Sequence, residues 1–293
     1  MTMTDQANPP LKAETPLREA MRMFAKSPSG MAGLVLLLLV GGMVLFGPIL
    51  YPVDPFEIVW VPFSPPFADG APLLGTDQLG RDLLAGIING GRATIAVGSA
   101  AAALTCLIGI VIGAFAGYYG GRIDAMLARV TEFFQVLPPL LFAMVIVALF
   151  QPSLALVAFA IGIVSWPNVA RLTRGEFLRM KSLEFVTASR ASGAFDRTLI
   201  WSVILPNALP PLVIAATLNV AAAILFESGL SFLGLSDPNI MSWGLIIGNG
   251  RDNIYTAWWV STLPGFAIFI TTLGVSLVGD GLNDALNPKM RSR

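Results

Sequence analysis

The 293-residue sequence has no histidine, a single cysteine and only 12% charged residues. Each scarcity excludes something. Without His the chain lacks the commonest general base and the commonest neutral metal ligand. Cys106 alone can form neither an internal disulfide nor a Cys-rich metal site, so no metal centre is expected. Inside its apolar run it reads as a small buried hydrophobe. The charged fraction is about half that of an ordinary soluble domain. Eighteen basic residues balance eighteen acidic ones, so no basic footprint for nucleic acid exists. No G-x-x-x-x-G-K-S/T occurs either, which removes the phosphate-cradling loop of a nucleotide-hydrolysing domain.

What is abundant is apolar: 55% of the residues are hydrophobic. A bilayer-crossing helix needs about 20 mostly apolar residues. Runs free of Asp, Glu, Lys and Arg cover 27–53, 93–121, 133–170 and 253–279, and 198–236 carries one charge, Glu227. The 133–170 run is too long for one crossing, and Gln151-Pro152-Ser153 divides it. Six spans are predicted, the third and fourth joined by a tight turn. The polar start places the first apolar run too deep for a cleavable leader, so it reads as a retained span. Ala and Gly are frequent in the spans, which suits close helix packing in lipid.

Orientation follows from the positive charges. With the N-terminus inside, 15 of the 18 Lys and Arg residues are cytoplasmic, and only Arg81, Arg92 and Arg251 lie outside. Tyr51, Trp60, Trp258 and Trp259 then fall near the outer ends of spans, where interfacial aromatics belong. Four regions result. Residues 1–28 form a cytoplasmic tail ending in an amphipathic stretch (Leu17, Met21, Phe24). Residues 29–91 hold the first span and a Pro-rich outer segment. Residues 92–281 form the main transmembrane domain, and 282–293 a second cytoplasmic tail. In the 75–82 turn, Thr76 or Asp77 is placed to cap a short helix.

The largest inner interruption, 171–207, carries six basic and three acidic residues, yet its apolar positions keep a helical period. Phe185, Ala188 and Ser192 share one face. Gly193 sits where a first helix ends in a left-handed residue. Asp196 is placed to cap a second helix lined by Leu199, Ile200, Val203 and Ile204, and Pro206 ends or kinks it. Apolar faces of this kind are covered either by a partner or by the chain's own spans. The pattern alone leaves both open.

The loop resembles the cytoplasmic signature of ABC-importer permeases: Glu-Ala-Ala, three residues, Gly, nine residues, Ile-x-Leu-Pro. Here Thr187-Ala188-Ser189, Gly193 and Val203-Ile204-Leu205-Pro206 stand at those positions with the spacing intact. The departures are Thr187 for the acid, Ser189 for the second Ala and Val203 for Ile. Further stretches are similar to the C-type permease subunits of dipeptide, oligopeptide and nickel importers. They are LGTDQLGRD at 74–82, AGYYGG at 116–121, SWPNVARLTRGE at 165–176, ILPNALPPLV at 204–213, SGLSFLGL at 228–235, SWG at 242–244 and GDGLNDALNPKMR at 279–291.

The resemblance implies an all-α polytopic membrane protein with a MetI-like type I importer core of five helices preceded by one span. It further implies a multi-pass subunit of the bacterial inner membrane, with both termini cytoplasmic, that forms half of a pore for peptides. Nickel or another small solute is the alternative cargo, and an ion-coupled secondary transporter the reading outside the class. ATP and Mg²⁺ would be bound by two partner ATPase subunits or domains, with no cofactor and no catalytic residue in this chain. A homologous second permease and an extracytoplasmic solute-binding protein would complete the assembly. The docking residues would be Glu184, Thr187, Ala188, Ser189, Gly193, Asp196, Leu199, Ile200, Val203, Leu205 and Pro206.

Two features remain open at this level. Glu227, a carboxylate deep in a span, either lines the pore or makes a structural hydrogen bond. Asp77, Arg81 and Asp82 either gate the outer face and contact the binding protein, or pair internally to fasten the 75–82 turn to the 229–258 loop.

Overall fold

The computed structural model describes residues 16–286. The 1–15 tail, Lys12, the side chain of Leu17 and the end of the 279–291 stretch with Lys289, Arg291 and Arg293 lie outside the described residues.

The regular elements of the described residues are helices, with 51–82 an irregular segment between the second and third: α1 Pro16–Lys26, α2 Pro28–Leu50, α3 Leu83–Tyr119, α4 Gly121–Val136, α5 Pro139–Leu149, α6 Leu154–Lys181, α7 Glu184–Ala191, α8 Asp196–Thr198, α9 Leu205–Phe232, α10 Trp243–Gly250 and α11 Trp258–Leu286. A π-helical turn, Leu199–Ile204, joins α8 to α9, so that 196–232 is one continuous helix. Five helices are long and apolar enough to cross a membrane, and the bent pair α4–α5 brings the number to six.

The third span differs from expectation. The charge-free run from Phe133 breaks at Leu137-Pro138, where α4 and α5 meet at 84°. Pro138 and Pro139 are the cause: a residue before proline is pushed out of the helical region, and Leu137 and Pro138 both adopt extended ψ values of 129° and 117°. The remaining helix α5 has 11 residues, about 17 Å, roughly half the hydrocarbon thickness. The turn at 151–153 is where expected, and Ser153 caps α6 through the Leu156 N–H at 3.2 Å.

The second span is longer than its charge-free run. α3 begins at Leu83 because Asp82 caps it, accepting from the N–H groups of Leu84 (2.8 Å) and Ala85 (3.2 Å). Neither Thr76 nor Asp77 starts a helix. At 37 residues α3 is about 55 Å long. It carries Arg92 along the flank of α2, where its Nε donates to the Val44 carbonyl at 3.0 Å.

Small residues set the helix contacts. Gly109, Gly113 and Gly117 form a stripe on α3 that lies directly on α6, against Val169, Thr173 and Phe177. Gly30 and Gly281 do the same between α2 and α11. In α1, Phe24 packs over this second crossing, whereas Met21, expected on the same apolar face, is exposed. The loop at 233–257 holds α10 and a 3₁₀ turn, Arg251–Asn253. Ser242 caps α10 through Leu245 N–H, and Trp243 is fully buried, donating from Nε1 to the Ile87 carbonyl at 2.8 Å.

Candidate functional site: the helix–Gly–helix element

α7 ends as the sequence suggests. Ser192 is its last cap, and Gly193 follows at φ +86°. The Gly193 N–H reaches Arg190 O at 3.0 Å and the Ala194 N–H reaches Ser189 O at 3.1 Å, the paired bonds of a Schellman ending. The α7 face bearing Phe185, Ala188 and Ser192 is exposed, together with Glu184, Thr187 and Phe195. Phe195 is 82% exposed. Thr187 spends its hydroxyl on the Leu183 carbonyl at 3.3 Å. Glu184 occupies the first turn, where a negative charge suits the helix dipole.

The second half of the element turns inward. Leu199, Ile200 and Ile204 are at most 2% exposed and pack with Phe177, Met180, Val186, Ala208 and Leu212, while Val203 and Leu205 flank the cluster. These apolar side chains are therefore covered by the chain's own helices, while Trp201 between them stays 37% exposed. Pro206 neither ends nor kinks the helix. It lacks an N–H, and the π-turn before it changes the bonding register, with Leu205 N–H closing on Ile200 O.

Asp196 is not a cap: Phe195 precedes the helix and no side chain caps it. Instead Asp196 accepts a short hydrogen bond from the Tyr118 hydroxyl at the end of α3. Arg190 donates to the same hydroxyl at 3.1 Å. Lys181 donates to the Tyr118 carbonyl, one of the free acceptors of a helix C-terminus. The Lys181 and Arg190 cations each sit 5.6 Å from the Tyr118 ring centre. Tyr118 thus brackets the last turn of α6, α7 and the start of α8 onto α3. Sequence reasoning missed it, although it lies in the AGYYGG stretch, because nothing local pairs it with residues 72 and 78 positions away. Beside it, Arg174 grips Asp124 with two bonds of 2.5 and 2.7 Å, fixing α4 to α6. Tyr118→Phe leaves Asp196 and Arg190 without their shared partner. The expected result is a loop loosened by about 1–3 kcal/mol, read as faster hydrogen exchange over 184–198 with α3 unchanged. Unaltered exchange would contradict the bracket.

Glu227 is 1% exposed. Its carboxylate accepts from Ser231 Oγ at 2.6 Å and Ser228 Oγ at 3.4 Å, with the Thr94 and Ser242 side chains also bonded to it. It joins α3, α9 and the cap of α10. Asp77 folds onto its own turn, accepting from the N–H groups of Leu79 (2.8 Å) and Arg81 (3.0 Å). Arg81 lies over the Phe56 ring at 5.1 Å. Asp82 accepts from Tyr51 Oη at 2.5 Å as well as capping α3. Burial, then that bond and the charge of Asp82, raise the Tyr51 phenol to about 12, so it remains a donor. The expected ion pairing between the 75–82 turn and the 229–258 loop is absent among the described residues. Apolar packing joins them instead: Leu83 and Ile87 against Met241, Ile246, Trp259 and Val260, with Trp259 Nε1 donating to Thr76 O at 3.2 Å.

The described residues thus form a bundle of apolar helices with a basic helix–Gly–helix element at one end. The chain belongs to the family of binding-protein-dependent transport system inner membrane components, whose model matches residues 109–292. A second model, the N-terminal transmembrane domain of oligopeptide transport permease C, matches residues 15–66. The di/tripeptide transport system permease DppC of Pseudomonas aeruginosa is 38% identical over 98% of this chain and 96% of its own length. The oligopeptide permease OppC of Haemophilus influenzae is 36% identical over 94% and 89%. Among solved structures, the inward-facing MetNI methionine ABC transporter shares the fold at a TM-score of 0.57 and 20% identity, covering 69% of this chain and 96% of that one. The protein is accordingly a multi-pass inner-membrane permease subunit.

Proposed function

We propose that this chain is one of two permease halves of an ATP-driven peptide importer and that it docks an ATPase subunit through α7. The observation that carries the reading is the two-sided docking element. One side presents Phe185, Thr187, Ala188 and Phe195 to solvent. The other is locked to α3 through Tyr118 and to the inner core through Leu199, Ile200 and Ile204. A push on the exposed side is therefore delivered to a rigid helix that runs to the outer face.

Within this reading Glu184, Thr187, Ala188, Ser189 and Gly193 form the contact. Asp196, Leu199, Ile200, Val203, Leu205 and Pro206 hold it in place. The names of the relatives favour di- and oligopeptides as cargo. The ATPase partners bind ATP and Mg²⁺, this chain hydrolyses nothing, a second permease closes the pore, and a binding protein delivers substrate. The distribution of Lys and Arg supports cytoplasmic termini. Glu227 acts as a structural acceptor. Asp77, Arg81 and Asp82 shape the outer cap that meets the binding protein.

The test is a thiol at position 198. Thr198→Cys in a Cys106→Ala background is expected to cross-link to the ATPase subunit, with a yield that changes when ATP is added. Absence of any ATP-sensitive product would refute docking at this face.

A further inference from the structure

Two adjoining hollows open on the flank formed by α3, α4, the α4–α5 break, α6 and α9. One, of about 320 Å³, is lined by Glu132, Gln135, Arg171 and Arg174. The other, of about 560 Å³, shares Gln135 and Arg171 and adds Ser165, Asn168 and Asn219. The helix rise puts Asn168 and Arg171 about 21 and 26 Å from the outer end of α6, and Asn219 about 20 Å from the outer end of α9. These polar groups therefore stand at membrane depth, in its inner half.

Their bonding is incomplete. Arg174 is taken by Asp124. Among the described residues, neither Arg171 nor Glu132 has an ion-pair partner. The Gln135 amide nitrogen is buried with nothing to donate to. Asn219 gives its N–H to Ala215 O at 2.7 Å, which leaves its carbonyl as an acceptor. An unpaired cation, an unpaired anion and free amides at this depth are too costly to face lipid. The broken backbone at Leu137-Pro138 borders the same hollow, and such breaks persist at membrane depth only where they are buried or line water.

We infer that this groove is the wall of the substrate path that holds a peptide by its two charged ends. Arg171 receives the terminal carboxylate, Glu132 receives the terminal ammonium, and Gln135, Asn168 and Asn219 bond to the main chain between them. This rests on the peptide-importer reading and adds the residues that would read the cargo. Contacts confined to termini and backbone carry no side-chain selection, so the groove would pass peptides of varied sequence. A groove sealed against the second permease would instead bury these groups and keep water out.

The experiment uses the assembled importer in proteoliposomes, with radiolabelled dialanine and trialanine as probes. Arg171→Gln is expected to lower uptake of both by about tenfold, the loss of a charge-assisted contact. Arg171→Lys, which keeps the charge, restores most of it. Unchanged uptake in Arg171→Gln overturns the assignment. Independently, Asn168→Cys in the Cys106→Ala background is expected to react with a charged, water-soluble thiol reagent, and saturating dialanine slows that reaction. No reaction, or reaction that peptide does not slow, overturns it. If the unsubstituted importer carries neither probe, the peptide reading fails along with this one. Failure of the substituted forms alone leaves that reading standing.

Discussion

Gly193→Asp is expected to leave this chain folded and to disconnect it from its ATPase. The residue is exposed at φ +86°, and an added β-carbon there meets nothing within 4 Å, so no core is disturbed. The damage is local and twofold. A left-handed backbone costs a non-glycine residue about 1 kcal/mol. A carboxylate at the C-terminal end of α7 also opposes the helix dipole and adds charge to the exposed contact face. Loss at the centre of an interface is expected to cost roughly 2 kcal/mol or more of docking energy, about thirtyfold in affinity. Co-purification of the ATPase with the variant measures it. Gly193→Ala, which retains only the backbone cost, should fall between. Normal co-purification with normal uptake in the Asp variant would remove the docking role.

The second large effect is opposite in kind. Gly113→Val should prevent folding without touching the docking face. An added β-carbon at Gly113 would lie 2.6 Å from Thr173 Cβ and 3.0 Å from Arg174 N, atoms that cannot swing away. α3 and α6 would have to separate along the whole Gly109–Gly117 stripe. The expected cost is about 3 kcal/mol or more, seen as lost monodisperse yield and a lower Tm in detergent. Gly41→Ala is the control, because a β-carbon there meets nothing within 4 Å. Equal Tm values in the two variants would contradict the close crossing.

The two glycines show what a sequence makes legible and what it does not. Gly193 could be placed at a helix end from its neighbours alone, because helix endings are local chemistry. Gly113 is one of many glycines in an apolar run, and only the approach of α6 sets it apart. The same division holds elsewhere. Charge-free runs gave the number of apolar segments, but the bend at Pro138 followed from local proline geometry that run length does not weigh. Periodicity put Leu199, Ile200, Val203 and Ile204 on one side of a helix without saying what covers them. That cover proved to be α3, α6, α7 and α9 of this chain. Asp196 had the chemistry of a cap, yet a long-range partner, Tyr118, claims it. In the 75–82 turn, Asp77 and Asp82 satisfy backbone N–H groups, and packing around Trp259 does the fastening that charge pairing was expected to do.

The central claim is that an exposed cytoplasmic element couples this membrane bundle to ATP hydrolysis in another subunit. Peptide uptake by proteoliposomes tests it most directly, with this chain supplied alone or with its second permease, ATPases and binding protein. The account predicts uptake only by the full set, only with ATP inside the compartment that faces the docking element, and lost in Gly193→Asp. Uptake by this chain alone, driven by a proton gradient without ATP, would contradict it.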